Sequence, residues 1–257
     1  MSNFIDKFSL AGKKAIVTGG AKGLCNGMAQ ALHDAGAEVV LLDILDMVGD
    51  SAGEMAKKGP MVHAVRGDLT KTEELENIYN ECLEKLGGRV DILLNGAGIQ
   101  FRAPAVDFPH DRLEKIIALN MNAVFYMSQL AGKTMLAQKY GKIINIASMT
   151  AFFASVLIPA YSASKGGVAQ ITKALSNEWA GQGVNVNAIA PGYMATELTA
   201  NIKEVNPKQY EEITSRIPAG RWGRMEDLQG LAVFLASDAS AYISGAVIPV
   251  DGGFMGK

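Results

Sequence analysis

The chain has 257 residues, 49% of them hydrophobic and 19% charged, so it can bury a sizeable core and is too apolar to stay disordered. Its formal net charge of −2 argues against a nucleic-acid or anionic-membrane surface as the main partner. Two cysteines, Cys25 and Cys82, are too few for a disulfide framework, and Met1–Lys7 shows no basic segment leading into an apolar run, so a reducing cytoplasm is the expected location.

From the N-terminus, Lys14–Thr18 reads as a buried strand, followed by a glycine-rich turn and a helical pattern to about Ala35, with Gly36 as its stop. Glu38–Leu42, Met61–Val65, Val90–Leu94, Lys142–Ala147, Val184–Ile189 and Gly245–Val250 are the further strands. Helical periodicity fills about 46–58, 71–86, 111–138, 160–180 and 225–236. No repeat or linker interrupts the series, so one domain over 1–257 is expected. Strands apolar on both faces and separated by helices imply an α/β fold of the Rossmann type. That is a doubly wound parallel sheet of about seven strands with helices on both faces, and ligands bind at the carboxyl ends of its strands. The segment between Lys142 and Lys165 carries no charge and is long enough to span a bilayer, yet Asn145, Ser148, Thr150, Tyr161 and Ser164 within it mark a buried strand leading into a site loop.

The first strand ends in Thr18-Gly-Gly-Ala-Lys-Gly-Leu24, where glycines let backbone N–H groups approach a pyrophosphate at a helix N-terminus. Such a turn also serves as a plain connection; the acidic Asp43 after the second strand strengthens the dinucleotide reading, because its carboxylate can accept from both adenosine ribose hydroxyls. The same carboxylate repels the 2′-phosphate of NADP, while Lys22 pulls the other way. A fixed carboxylate outweighs a flexible, solvated lysine, so NAD is expected ahead of NADP. Farther along, Tyr161 and Lys165 stand i, i+4 on one helix face. An ammonium beside a phenol favours the phenolate and lowers the tyrosine pKa, making Tyr161 a general acid/base, with Ser148 placed to hold a carbonyl or hydroxyl oxygen.

Together these residues resemble the short-chain dehydrogenase/reductase family over essentially the whole chain. The matching motifs are Thr18-Gly19…Gly23, Asp68, Asn95-Gly-Ala-Gly98, Asn120, Ser148, Tyr161-x-x-x-Lys165 and Pro191-Gly192…Thr196. The resemblance implies a catalytic set of Asn120, Ser148, Tyr161 and Lys165. In it Ser148 orients the reacting oxygen, Tyr161 exchanges its proton, Lys165 binds the nicotinamide ribose and tunes Tyr161, and Asn120 holds a water in a proton relay. It implies cofactor contacts from Gly19, Lys22, Gly23, Leu24, Asp43, Asp68, Leu69, Asn95, Ala97, Gly98, Pro191, Gly192, Met194 and Thr196, besides Tyr161 and Lys165. It also implies a homotetramer. Segments Gly141–Met149, Asn177–Ala180, Ala190–Thr196 and Ile217–Gly223 are similar to the sugar-acid branch of the family. That similarity implies hydride transfer between nicotinamide and a carbinol/ketone of a sugar acid. A 3-oxoacyl thioester reductase and a nucleotide-binding regulator that has lost the chemistry are the alternatives. Asp43 and the charge balance oppose the first, and the complete catalytic set opposes the second.

Two departures from the family pattern stand out. Cys25 replaces the third glycine of the phosphate loop, and Gly96 replaces the second asparagine of Asn-Asn-Ala-Gly. One enlarged and one reduced residue suggest an exchange within a single packed volume, with Cys25 against the end of strand four. His33, His63 and His110 share no ligand spacing, so no metal is expected. Arg216, Arg221 and Arg224 read as structural ion-pairing residues. Arg102, in the loop after strand four, is the candidate for a substrate carboxylate, a surface arginine being the alternative.

Overall fold

A computed structural model describes residues 3–196 and 202–256. Seven strands, β1 (Lys14–Thr18), β2 (Glu38–Asp43), β3 (Val62–Arg66), β4 (Ile92–Asn95), β5 (Gly141–Ile146), β6 (Val184–Pro191) and β7 (Val247–Val250), form one sheet in the order β3-β2-β1-β4-β5-β6-β7. Every pairing is parallel. The helices are α1 (Gly23–Asp34), α2 (Val48–Met55), α3 (Leu75–Lys85), α4 (His110–Ile117), α5 (Ala123–Gln138), α6 (Pro159–Trp179), α7 (Pro207–Ser215) and α8 (Glu226–Ala236). Alternate strand residues feed two separate cores. Ala15, Val17, Val39 and Leu41 pack with Met28, Leu32, Ala52 and Leu228 from α1, α2 and α8. Ile16, Val40 and Leu42 pack with Tyr79, Cys82, Met127 and Leu175 from α3, α5 and α6. Burial on both faces is why these strands read as continuous apolar runs.

The strand order reverses between β1 and β4, which opens a crevice at their carboxyl ends. All the sequence motifs lie on turns at that edge or on helices that start there. Several strand ends shift by one or two residues, and two differences from the sequence reading have identifiable causes. Val90 is not in β4, because its N–H and C=O are both engaged by the side-chain amide of Gln138. The expected helix over 111–138 is divided into α4 and α5 by a π-helical turn, Ala118–Asn122. Helix α7 was not read at all, although Asn206, whose side chain accepts from the Gln209 N–H, followed by a proline at the first helical position, is a start signal. The uncharged stretch after Lys142 is β5, a loop and the first turns of α6, and among the described residues no helix is long and apolar enough to cross a membrane.

Candidate active site

The turn after β1 is held by side chains from three directions. Asp43 accepts from the Ala21 N–H at 3.0 Å and, through its other oxygen, from the Leu45 N–H at 3.1 Å. Ser51 donates to the Ala21 carbonyl at 2.7 Å, and Asn26 donates to the Gly20 carbonyl at 2.8 Å. Thr18 Oγ1 accepts from the N–H groups of Gly96 and Ala97, tying the turn to the end of β4. Gly19 has φ +71, and a Cβ there would lie 2.9 Å from Ala97 Cα, so both the backbone conformation and the close approach require glycine. Helix α1 then begins at Gly23 with no side chain capping its first N–H groups, and exposed Lys22 precedes it. An uncapped N-terminus above a fixed turn is the donor set a pyrophosphate needs, so these residues fit a dinucleotide.

Cys25 lies where the sequence placed it. It is buried, and a Cβ built on Gly96 would collide with its Sγ. Burial pushes the thiol up to about 12. Asn95, in contrast, turns its side chain away from the crevice. It is buried and donates to Ser128 Oγ and to Asn145 Oδ1, and Asn145 in turn donates to Thr172. The amide is used in linking β4, β5, α5 and α6 and is not turned to the cofactor contact expected of it. Leu69 likewise contributes its side chain to the core beside α3. Asp68 is half-buried and accepts from the Thr70 N–H and hydroxyl. On the far side, Gly192 follows β6 in close contact with Asp251, Met194 is buried and bridged to Gly223, and Thr196 is half-buried.

Ser148 follows β5 in extended conformation, and its Oγ accepts from the Thr150 N–H at 3.1 Å. Pro159 opens α6, fixing the first helical φ, so Tyr161 falls in the first turn and Lys165 one turn later. The Ser148 side chain stands beside the Tyr161 phenol and acts to lower its pKa, and Lys165 Nζ stands 5.7 Å from the Tyr161 ring centroid. Lys165 is 4% exposed and makes a single hydrogen bond, to the Ile146 carbonyl at 2.6 Å, so its ammonium keeps donors for a further acceptor such as a ribose hydroxyl. The expected lowering of the tyrosine pKa is not what the protein alone provides. Burial pushes the Tyr161 phenol up and is only opposed by the Ser148 side chain, while burial pushes the Lys165 ammonium down to about 8. Desolvation favours the neutral form of both groups and is the largest influence on each.

Asn120 sits in the π turn, fully buried. Its Oδ1 accepts from the Ile99 N–H and its Nδ2 donates to the Ile99 carbonyl, each at 2.9 Å. A further bond reaches Ser164, which donates to the Tyr161 carbonyl. A Cβ built on Gly98 would lie 3.3 Å from Asn120 Oδ1 and 3.9 Å from Lys165 Nζ. The π turn, the loop after β5 and α6 thus bring Asn120, Ser148, Tyr161 and Lys165 together. Sequence reading missed the Ile99 and Ile146 backbone groups that orient this set, and no side-chain pattern announces them.

Arg102 is exposed, and among the described residues it forms no ion pair. Arg221 instead pairs through two 2.7 Å bonds with Asp227, the ion-pair role expected of it, whereas Arg216 stacks on Phe254 at 4.7 Å rather than forming an ion pair among the described residues. His33 and His63 are satisfied by the Pro60 carbonyl and Glu38, and no group that could hold a metal exists among the described residues.

A doubly wound sheet whose switch-point crevice combines a glycine-turned helix N-terminus with a Ser–Tyr–Lys set defines a dinucleotide-dependent oxidoreductase. The chain belongs to the short-chain dehydrogenase/reductase family. A family model described as enoyl-(acyl carrier protein) reductase matches residues 19–255. The chain is 43% identical over 252 residues to a 2-dehydro-3-deoxy-D-gluconate 5-dehydrogenase of Bacillus subtilis (strain 168), covering 98% of each. It is 38% identical over 250 residues to a gluconate 5-dehydrogenase of Gluconobacter oxydans (strain 621H), covering 96% of each. The crystal structure of a gluconate 5-dehydrogenase from Burkholderia cenocepacia J2315 in complex with NADP and tartrate superposes with a TM-score of 0.93 at 35% identity, over 99% of this chain and 100% of that one.

Proposed function

We propose that this protein is an NAD-dependent dehydrogenase that oxidises a carbinol, or reduces the corresponding ketone, of a sugar acid of the 2-dehydro-3-deoxy-D-gluconate type. The observation that carries the reading is the placement of the Tyr161 phenol beside the Ser148 side chain, with the buried Lys165 one helical turn further on. The cofactor supplies or accepts the hydride. In the reducing direction the Ser148 hydroxyl holds the ketone oxygen and Tyr161 delivers its phenolic proton to that oxygen. In the oxidising direction Tyr161 takes the carbinol proton. Lys165 holds the nicotinamide ribose, and its charge favours the phenolate once both groups share that contact. The π turn at Asn120 rearranges the local helical hydrogen bonds, as such turns do at functional sites, and suits a water-held proton relay.

The preference for NAD rests on Asp43, whose two oxygens are fixed by backbone N–H groups at the mouth of the turn. The Burkholderia relative was solved in complex with NADP, so both coenzymes belong in the test. Arg102 pairs with the substrate carboxylate. We also read the enzyme as a single-domain, cytoplasmic homotetramer, with Phe125 and Phe152 among the exposed apolar residues an assembly would cover. Reduced-nicotinamide absorbance, followed with 2-dehydro-3-deoxy-D-gluconate, gluconate, 5-ketogluconate and a 3-oxoacyl thioester, each with NAD(H) and NADP(H), tests the function. Turnover of the first substrate with NAD(H) supports it, and preference for the thioester overturns it.

A further inference from the structure

The geometry points to Leu157 as a positioning residue for substrate recognition, acting through a backbone clasp that sets Arg102. Only two non-glycine residues among those described have positive φ, Lys139 and Leu157. Lys139 ends α5, where a left-handed residue is a common helix stop. Leu157, at φ +67, ends nothing. It lies in the loop before α6 with its side chain 40% exposed, so core packing does not demand that conformation. In it, the Leu157 carbonyl accepts from the Ala103 N–H at 2.9 Å, joining the loop after β5 to the loop after β4.

That bond completes a bridge. At one end, Ile99 is pinned through both its N–H and its carbonyl by Asn120; at the other, Ala103 is pinned by Leu157. Between them stands Arg102, exposed and in no ion pair among the described residues. Leu157 is four residues from Tyr161, and Asn120 borders Lys165 through Gly98. Both ends of the Arg102 bridge are therefore anchored to the elements that hold the reacting groups. An arginine on a loop fixed in this way loses little freedom when it meets an anion, which is how preorganisation strengthens binding. This inference rests on the proposed role of Arg102 toward a sugar-acid carboxylate.

The test compares Leu157→Gly, which adopts positive φ without strain, with Leu157→Ile, whose branched Cβ opposes it. Leu157→Ile is expected to raise KM for the sugar acid about tenfold with kcat and NADH affinity little changed, the pattern of a lost binding contact. Leu157→Gly is expected to stay near wild type. In an Arg102→Ala background, Leu157→Ile should add nothing further, since both act on one contact. Equal damage from the two Leu157 variants, or additive effects with Arg102→Ala, would overturn the proposal. Amide exchange at Ala103 reads the clasp without substrate or turnover. Protection in wild type and Leu157→Gly that is lost in Leu157→Ile supports it, and fast exchange in wild type overturns it. A wild-type enzyme that turns over no sugar acid while Ala103 is protected would instead refute the functional reading and the role given to Arg102.

Discussion

The Sγ of Cys25 occupies the space in which any side chain at position 96 would begin. A thiol on the first turn of α1 and a hydrogen at the end of β4 thus fill one volume, and that volume lies directly beneath the dinucleotide turn, where Gly96 also donates to Thr18. Restoring only one partner to the family pattern overfills or empties it. Gly96→Asn alone is expected to destabilise the protein by about 1–3 kcal/mol, the usual range for overpacking, and to weaken NADH binding. Adding Cys25→Gly should recover most of both losses. Melting temperatures and NADH titrations of the four proteins in the cycle check this, and purely additive effects would show that the two positions are independent.

Asp43 is expected to set the coenzyme preference. Replacing it by Ser removes the charge that opposes a 2′-phosphate, so the ratio of kcat/KM for NADP over NAD should rise, by an order of magnitude or more if the removed repulsion is worth about 1.4 kcal/mol. The same substitution loosens the turn, which Asp43 also anchors at Ala21, so NAD affinity should fall in parallel. A wild type that already prefers NADP would contradict the weight given to Asp43 over Lys22.

Arg102→Ala should raise KM for a sugar acid well beyond its effect on an uncharged sugar ketone, with kcat largely retained. Salt should weaken the wild-type interaction with the acid more than that with the neutral analogue, because the contact is an exposed ion pair. Equal losses on both substrates would make Arg102 a structural residue.

Lys165 gives a pH signature. Burial holds its folded-state pKa at about 8, below the ordinary lysine value of 10.5. Folding therefore favours the neutral amine, so the cost of burying the charged form is present below pH 8 and is relieved as pH rises toward 10.5. Cofactor binding has the opposite requirement, since the ammonium is the form that donates most strongly to ribose oxygens. NADH affinity is expected to fall as pH rises through about 8. Lys165→Met should bind NADH weakly and without that dependence, while its melting temperature at pH 7 is held or raised because a buried charge has been removed. Titrations from pH 6 to about 9.5, which spans the shifted lysine pKa, check both.

The central strands β1, β2 and β4 were legible because burial on both faces makes them nearly continuous apolar runs, and the motif turns were legible because glycine and acidic residues occupy fixed places after the strands. What escaped was decided by partners distant in sequence. The side chain of Gln138 takes the backbone of Val90 out of β4, and nothing near Val90 foretells it. The π turn at 118–122 is hidden because one extra residue per turn barely disturbs an apolar period of 3.6. Asn95 was identified as a motif residue, yet its direction depends on Ser128 and Asn145 across the sheet. The Tyr161–Lys165 spacing correctly placed both on α6, whereas the net effect on their pKa values is set by desolvation, which spacing does not report.

Tyr161→Phe tests the central claim most directly, with single-turnover NADH oxidation by a sugar-acid ketone measured beside NADH binding. The substitution deletes the phenolic proton and leaves the ring, α6 and Lys165 in place. Loss of a general acid typically lowers the rate ~10²- to 10⁴-fold, and the account predicts such a fall with NADH affinity within about twofold of wild type. A rate reduced less than about tenfold would contradict it, because the proton would then come from another group.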